Sequence, residues 1–207
     1  LDVSGCTALK DCYFDDVRGK SCDFSGSTGI LKLTIPYFSE VKLSGCSSLG
    51  YLSTYSDFNA PNEYKLKKLN LERCTKLENI STSNSELTDL NLSDCKSLER
   101  IYLQSHGISK LDLSNLYNLD YLVLIEKKLT ELNLSKNGKL GKLVLDSTAI
   151  KALDLSKMKH LKELFIGGKC SICGEAYDAK PKLLGLGDSM YLGKIVRTYT
   201  EGSTITV

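Results

Sequence analysis

Tryptophan is absent, and histidine and methionine occur only twice each among 207 residues. Two histidines leave little material for acid–base catalysis or for a histidine-rich metal site. Phosphate loops, GxSxG elbows, HExxH motifs and dinucleotide fingerprints are also missing, so the common nucleotide, esterase and zinc-peptidase chemistries have no motif to act through. Charge of one sign is lacking too: 27 Lys and Arg against 25 Asp and Glu leave a net +2, which sets up no global field to recruit nucleic acid or an anionic membrane. Ten lysines between Lys127 and Lys169 fall at many positions around the repeat described below and read as a solvated rim. No run approaches the ~18 apolar residues of a membrane helix, and the opening LDVSGC has no charged region followed by an apolar one. The chain opens inside a repeat, which leaves room for a leader or further repeats before it. These absences predict no cofactor, no metal, no nucleic-acid partner and no membrane insertion.

What the chain has is periodicity. LTDLNLSDCKSLERIYLQSHG from Leu87 is followed without a gap by ISKLDLSNLYNLDYLVLIEKK, LTELNLSKNGKLGKLVLDSTA and IKALDLSKMKHLKELFIGGKC, each of 21 residues. The same length holds from Leu66, and the spacing persists in VKLSGCSSLGYLS and LDVSGCTALKDCYF, while residues 19–37 fit more loosely. Counting places from the first leucine, apolar residues recur at 1, 4, 6, 12, 15 and 17, as in Leu87, Leu90, Leu92, Leu98, Ile101 and Leu103. The motif LxxLxL thus occurs twice per repeat. Two leucines at spacing two share one side of a strand, whereas a helix would turn them ~200° apart. One repeat cannot fold alone, because ordering its backbone costs roughly twice what its buried aliphatics return. The expected fold is a mainly β solenoid of about eight stacked coils with little helix. Residues 1–166 would form the solenoid and 167–207 an irregular C-terminal cap, closing in a hairpin about Glu201 and Gly202.

LxxLxL followed by Cys or Asn resembles the leucine-rich repeat, and the doubled 21-residue form is similar to its nested-period class. LDVSGCTAL, LDLSNLYNL and LNLSKNGKL resemble repeat proteins of gut Bacteroidetes, commonly secreted or surface-attached. LNLERCTKLENI is also similar to plant immune receptors, whose repeats are longer and less regular. The resemblance covers about residues 1–166 and implies a non-catalytic recognition module, secreted or at a cell surface, for an unidentified protein or a glycan. It also implies that the first strand of each coil makes the concave sheet. The alternatives are a receptor's repeat domain separated from signalling modules, or a zinc- or thiol-dependent enzyme using Cys170 and Cys173.

Cys6, Cys46, Cys74 and Cys95 fall at place 9, where such repeats usually carry the Asn that Asn137 retains; these five are expected to stack as a structural ladder of buried, unpaired side chains. Leu116 and Met158 interrupt it. Cys12 and Cys22 read as small core residues, with a disulfide between neighbouring coils as the alternative. Cys170 and Cys173 form a lone CxxC, which lacks the second ligand pair of a structural zinc site and reads as a local disulfide or plain thiols.

The outward places of the first LxL are monotonous, with Asp or Asn at 5 and mostly Ser at 7, suggesting scaffold side chains that bond one another and nearby backbone along the stack. Those of the second, at 14, 16 and 18, vary and collect Tyr51, Tyr55, Tyr102, Tyr121, Val123, Ile125, Val144 and Phe165, with Tyr13 at the N-terminal end. A contiguous exposed apolar group of this kind is the expected binding surface. Its alternative is plain strand propensity. The coil from Phe38 runs 28 residues, and its surplus, with Tyr55, Phe58 and Tyr64, is expected to protrude as a loop.

Overall fold

The computed structural model describes residues 1–56, 60–105, 107–167, 182–184 and 194–196. Nine parallel strands form one continuous sheet: Asp11–Tyr13, Lys32–Thr34, Tyr51–Tyr55, Asn79–Ser85, Arg100–Ser105, Tyr121–Glu126, Lys142–Asp146, Glu163–Gly167 and Lys194–Val196. The first eight are the second LxL of successive coils. Across the four coils from Leu87, where the repeat length is constant, equivalent places pair without a shift, so Ile101, Leu122, Leu143 and Leu164 are direct neighbours in the core. All four are at most 4% exposed. The architecture is a parallel β-solenoid of the leucine-rich-repeat kind, and its only described helical element is the 3-10 turn Asn62–Tyr64.

The first LxL makes shorter ladders, one of Arg18–Asp23, Tyr37–Lys42 and Lys68–Asn70, the other of Ala152–Asp154 and Lys182–Leu184. Backbone conformation at place 8 changes where the first ladder stops. Gly5, Gly26 and Gly45 have φ of 69°, 73° and 78°, a left-handed conformation that glycine adopts without steric penalty. Their N–H groups donate to the carbonyls of Ser25, Ser44 and Glu72 in the following coil, each at 2.8 Å. Arg73 keeps the conformation at φ 60° but donates to the Asp94 carboxylate instead, at 2.9 Å. Among the described residues the place is held from Asp94 onward by residues of ordinary φ, and no strand ladder forms on this side until Ala152.

Residues 19–37 form a regular coil despite their loose spelling. Cys22, Phe24, Ile30 and Leu33 are each fully buried. The large Phe24 meets Phe14 edge-on at 5.8 Å between centroids, and Gly19 at place 1 makes room for Phe38, whose Cε1 lies 2.7 Å from where a Cβ would stand. At the C-terminal end, Lys182–Leu184 pairs with Ala152–Asp154 and Lys194–Val196 with Glu163–Phe165, so each extends a parallel ladder by one strand. An added strand covers the backbone edge that an open solenoid would present to solvent. The hairpin about Glu201 and Gly202, like Cys170 and Cys173, lies outside the described residues.

Place 9 is a column of donors. Cys46 and Cys74 thiols donate to the carbonyls of Phe24 and Leu43, one coil back at place 6, at 3.1 and 3.2 Å, and Cys95 points the same way to Leu71 at 3.9 Å. Asn137 donates to Leu113 and Leu116 at 3.0 and 2.9 Å. Ser27, which spacing did not single out, holds the place between Cys6 and Cys46: its hydroxyl donates to Val3 at 2.8 Å and accepts from the Cys6 N–H at 3.1 Å. Cys46, Cys74 and Cys95 are buried, Cys6 is half-buried in the terminal coil, and these four, Cys12 and Cys22 are free thiols.

Candidate binding face

The Asp and Asn side chains at place 5 do not bond from coil to coil. Oδ1 of Asp2, Asp23, Asn70, Asn91, Asp112, Asn133 and Asp154 each accepts the backbone N–H two residues on, at 2.8–3.0 Å. This is an Asx-turn, and it bends the chain out of the first LxL. The hydrogen bonds also hold the carboxyls of Asp2, Asp23, Asp112 and Asp154 below the ordinary carboxylate value. That side of the coil is therefore committed to its own backbone.

The opposite side is not. On the nine-stranded sheet, place 16 brings Tyr102, Val123, Val144 and Phe165 into one column, each the register neighbour of the next. Tyr102, Val144 and Phe165 are half-buried, while Val123 is 5% exposed. The expectation that Val123 is solvent-exposed is thus corrected: a short side chain between two strand neighbours is shielded by them at the narrow parallel-strand spacing. Ile125, at place 18, is half-buried. Tyr13, Tyr51 and Tyr55 are exposed, at 70%, 40% and 54%, but Thr34, Ser53 and Ser81 occupy the intervening place 16 and separate them from the central column.

Place 14 borders the column with a locked row. The Tyr121 ring lies between the Arg100 guanidinium, 5.8 Å from its centroid, and the Lys142 ammonium at 5.3 Å. Lys142 in turn pairs with Glu163 at 2.9 Å. Cations over a ring face add attraction to the contact and fix the side chains that frame the surface. A shallow groove beside this row is lined by Asn118, Lys139, Lys142, His160 and Lys162, among others, with Lys139 donating to Asn118 at 2.8 Å.

Place 18 contains polar residues that sequence reasoning passed over, Gln104 and Asp146, at 5% and 9% exposure. The Tyr102 hydroxyl meets Gln104 Oε1 at 3.2 Å. Burial pushes the Tyr102 phenol up, with smaller contributions from Tyr121, Tyr55 and Asp146. The only available signal was a carboxylate amid the hydrophobic second strand.

Two internalins of known structure are similar to this chain. The functional domain of InlJ from Listeria monocytogenes, described as including a cysteine ladder, is 18% identical with a TM-score of 0.47; the similarity covers 86% of this chain and 49% of that one. The internalin inlF from Listeria monocytogenes str. 4b F2365 is 14% identical with a TM-score of 0.47, covering 88% and 72%. The chain thus spans about half the length of the InlJ domain. No known family profile matches it, and no curated protein does. The solenoid assignment stands on the ladders themselves.

In the insertion, Tyr64 is half-buried and the turn Asn62–Tyr64 packs beside the strands Arg18–Asp23 and Tyr37–Lys42. Phe58 lies outside the described residues. Among the described residues no cluster of His, Cys, Asp and Glu has the makings of a metal site, and no helix is long and apolar enough to cross a membrane.

Proposed function

We propose that the outward face of the nine-stranded sheet, centred on Tyr102, Tyr121, Val144 and Phe165, binds a protein, and that the chain is a non-catalytic recognition module of a secreted or surface-attached bacterial protein. One observation carries the reading. The side facing the Asx-turns repeats the same short polar residues for its own backbone, whereas the sheet face gathers aromatic and branched side chains that change from coil to coil. Half-buried tyrosine framed by cations is a favoured interface anchor, because it offers area and a polar tip at little entropic cost.

The test is a binding screen with wild type and the Tyr102→Ala/Tyr121→Ala variant, with thermal melts alongside. Loss of ~1–2 kcal/mol of binding per tyrosine with folding retained supports the reading. Equal binding by both proteins moves the site to another surface.

A further inference from the structure

The carboxylate of Asp146 stands at place 18 of the sheet face, beside Ile125 of the preceding coil. It is 9% exposed. One oxygen, Oδ1, accepts the Ser147 hydroxyl at 3.1 Å and lies against Gly167 in the neighbouring strand. No lysine or arginine among the described residues pairs with it. Burial raises its pKa and the Ser147 hydrogen bonds lower it, with no cation contributing. The neighbouring charges behave differently: Lys142 is paired with Glu163, and Arg100 and Lys142 flank Tyr121. Equivalent places in the two preceding coils hold the uncharged Gln104 and Ile125. A mostly buried carboxylate with hydrogen bonds but no cation beside it gains from a cation that a partner brings.

Aromatic surface converges on the same point. A Cβ on Gly167 would touch Asp146 Oδ1 on one side and stand 3.1 Å from Phe165 Cε1 on the other, so carboxylate and ring meet over the glycine. A carboxylate beside an aromatic ring suits a planar cation, which bonds the carboxylate through its N–H fork and can stack on the ring.

We infer that Asp146 anchors a basic side chain of the protein bound by the sheet face, arginine in preference to lysine, with the Phe165 ring forming the wall of the subsite. The inference rests on the binding-face reading above and goes beyond it in naming the chemistry of the partner's anchor.

The probe is blocked arginine, Nα-acetylarginine N-methylamide, titrated to millimolar concentration while the ring resonances of Phe165 are followed by NMR. The matching citrulline derivative, equal in shape and uncharged, is the control. Asp146→Asn is the variant, because it keeps the acceptor for Ser147 and removes only the charge. Expected are saturable shifts with the arginine probe, none with citrulline, and at least roughly tenfold weaker binding to Asp146→Asn, which melts at or above the wild-type temperature. Absent or non-saturable shifts, equal binding by the variant, or a lower melting temperature for the variant would overturn the inference, the last by showing that the charge holds the fold. Its failure is separable from that of the face. Partner binding lost in the tyrosine variant, with the arginine probe silent, removes the subsite and keeps the face; partner binding unchanged there, with the probe active, does the reverse.

Discussion

Asn137 offers the sharpest test of how the coils are tied together. Its side chain is fully buried, and Nδ2 donates to the carbonyls of Leu113 and Leu116 in the preceding coil at 3.0 and 2.9 Å. Both carbonyls also accept a backbone N–H, from Leu116 and Leu119 respectively, so truncation weakens their hydrogen bonding without orphaning them. Two neutral bonds contribute roughly 0.5–1.5 kcal/mol each, and the lost side-chain volume adds a small cavity term. Against this, Asn137 Oδ1 is itself buried without a partner, and its removal returns about 1 kcal/mol. The net expectation for Asn137→Ala is a destabilisation of ~1–3 kcal/mol, equivalent to a melting temperature lower by about 3–10 °C for a chain of this size. Asn137→Cys restores a single weak donor, as Cys46 and Cys74 supply one coil-to-coil bond each, and should cost about half as much. Urea unfolding of the three proteins, followed by circular dichroism, measures both differences. If alanine costs less than ~0.3 kcal/mol, or cysteine costs more than alanine, the place-9 donors do not tie the coils together and the reasoning fails.

Thr54 and Thr82 sit side by side at place 17 with exposures of 1% and 0%, and neither hydroxyl has a hydrogen-bond partner. Thr82→Val should therefore stabilise by about 1 kcal/mol, raising the urea midpoint at constant slope, whereas a loss would show that the hydroxyl is satisfied by bound water. Burial pushes the Cys46 thiol up to about 11 and those of Cys22 and Cys95 to about 12. A thiol reagent at pH 8 should consequently label half-buried Cys6 in the native protein and spare these three until urea is added, an order that peptide mass mapping reads directly. Asp112 is held below its ordinary value of 3.8 by hydrogen bonds from Ser114. Because the folded value is the depressed one, this stabilisation is complete above the unfolded value and disappears as pH falls below 3.8 through the folded value. Melts of Asp112→Asn, which keeps the turn's acceptor, should show a shallower acid-induced loss than wild type; an unchanged acid profile would contradict the Asx-turn assignment.

Periodicity alone determined the solenoid. A constant 21-residue repeat with leucines at alternating places requires equivalent residues of successive coils to pair without a register shift, because a slip of one residue would turn the leucines outward. The insertion after Phe38 was visible for the same reason, as a break in an otherwise constant count. Register also predicted which residues would share the outer side of the second LxL. It did not predict their exposure, since Val123 is shielded by neighbours that lie far from it in sequence. The coil at residues 19–37 was hard to read because Gly19 and Ser27 stand where larger or more typical residues are expected, and the compensating partners Phe38 and Val3 belong to other coils. Which LxL carries the continuous sheet was likewise decided in three dimensions. On the first LxL the N-terminal ladder ends at Lys68–Asn70, one coil after the last left-handed glycine at place 8, Gly45. The compensation of Asp146 was beyond any linear pattern, because whether a buried carboxylate is paired depends on side chains brought to it from other coils. A repeat sequence states what each coil does for itself, while burial and charge compensation arise between coils.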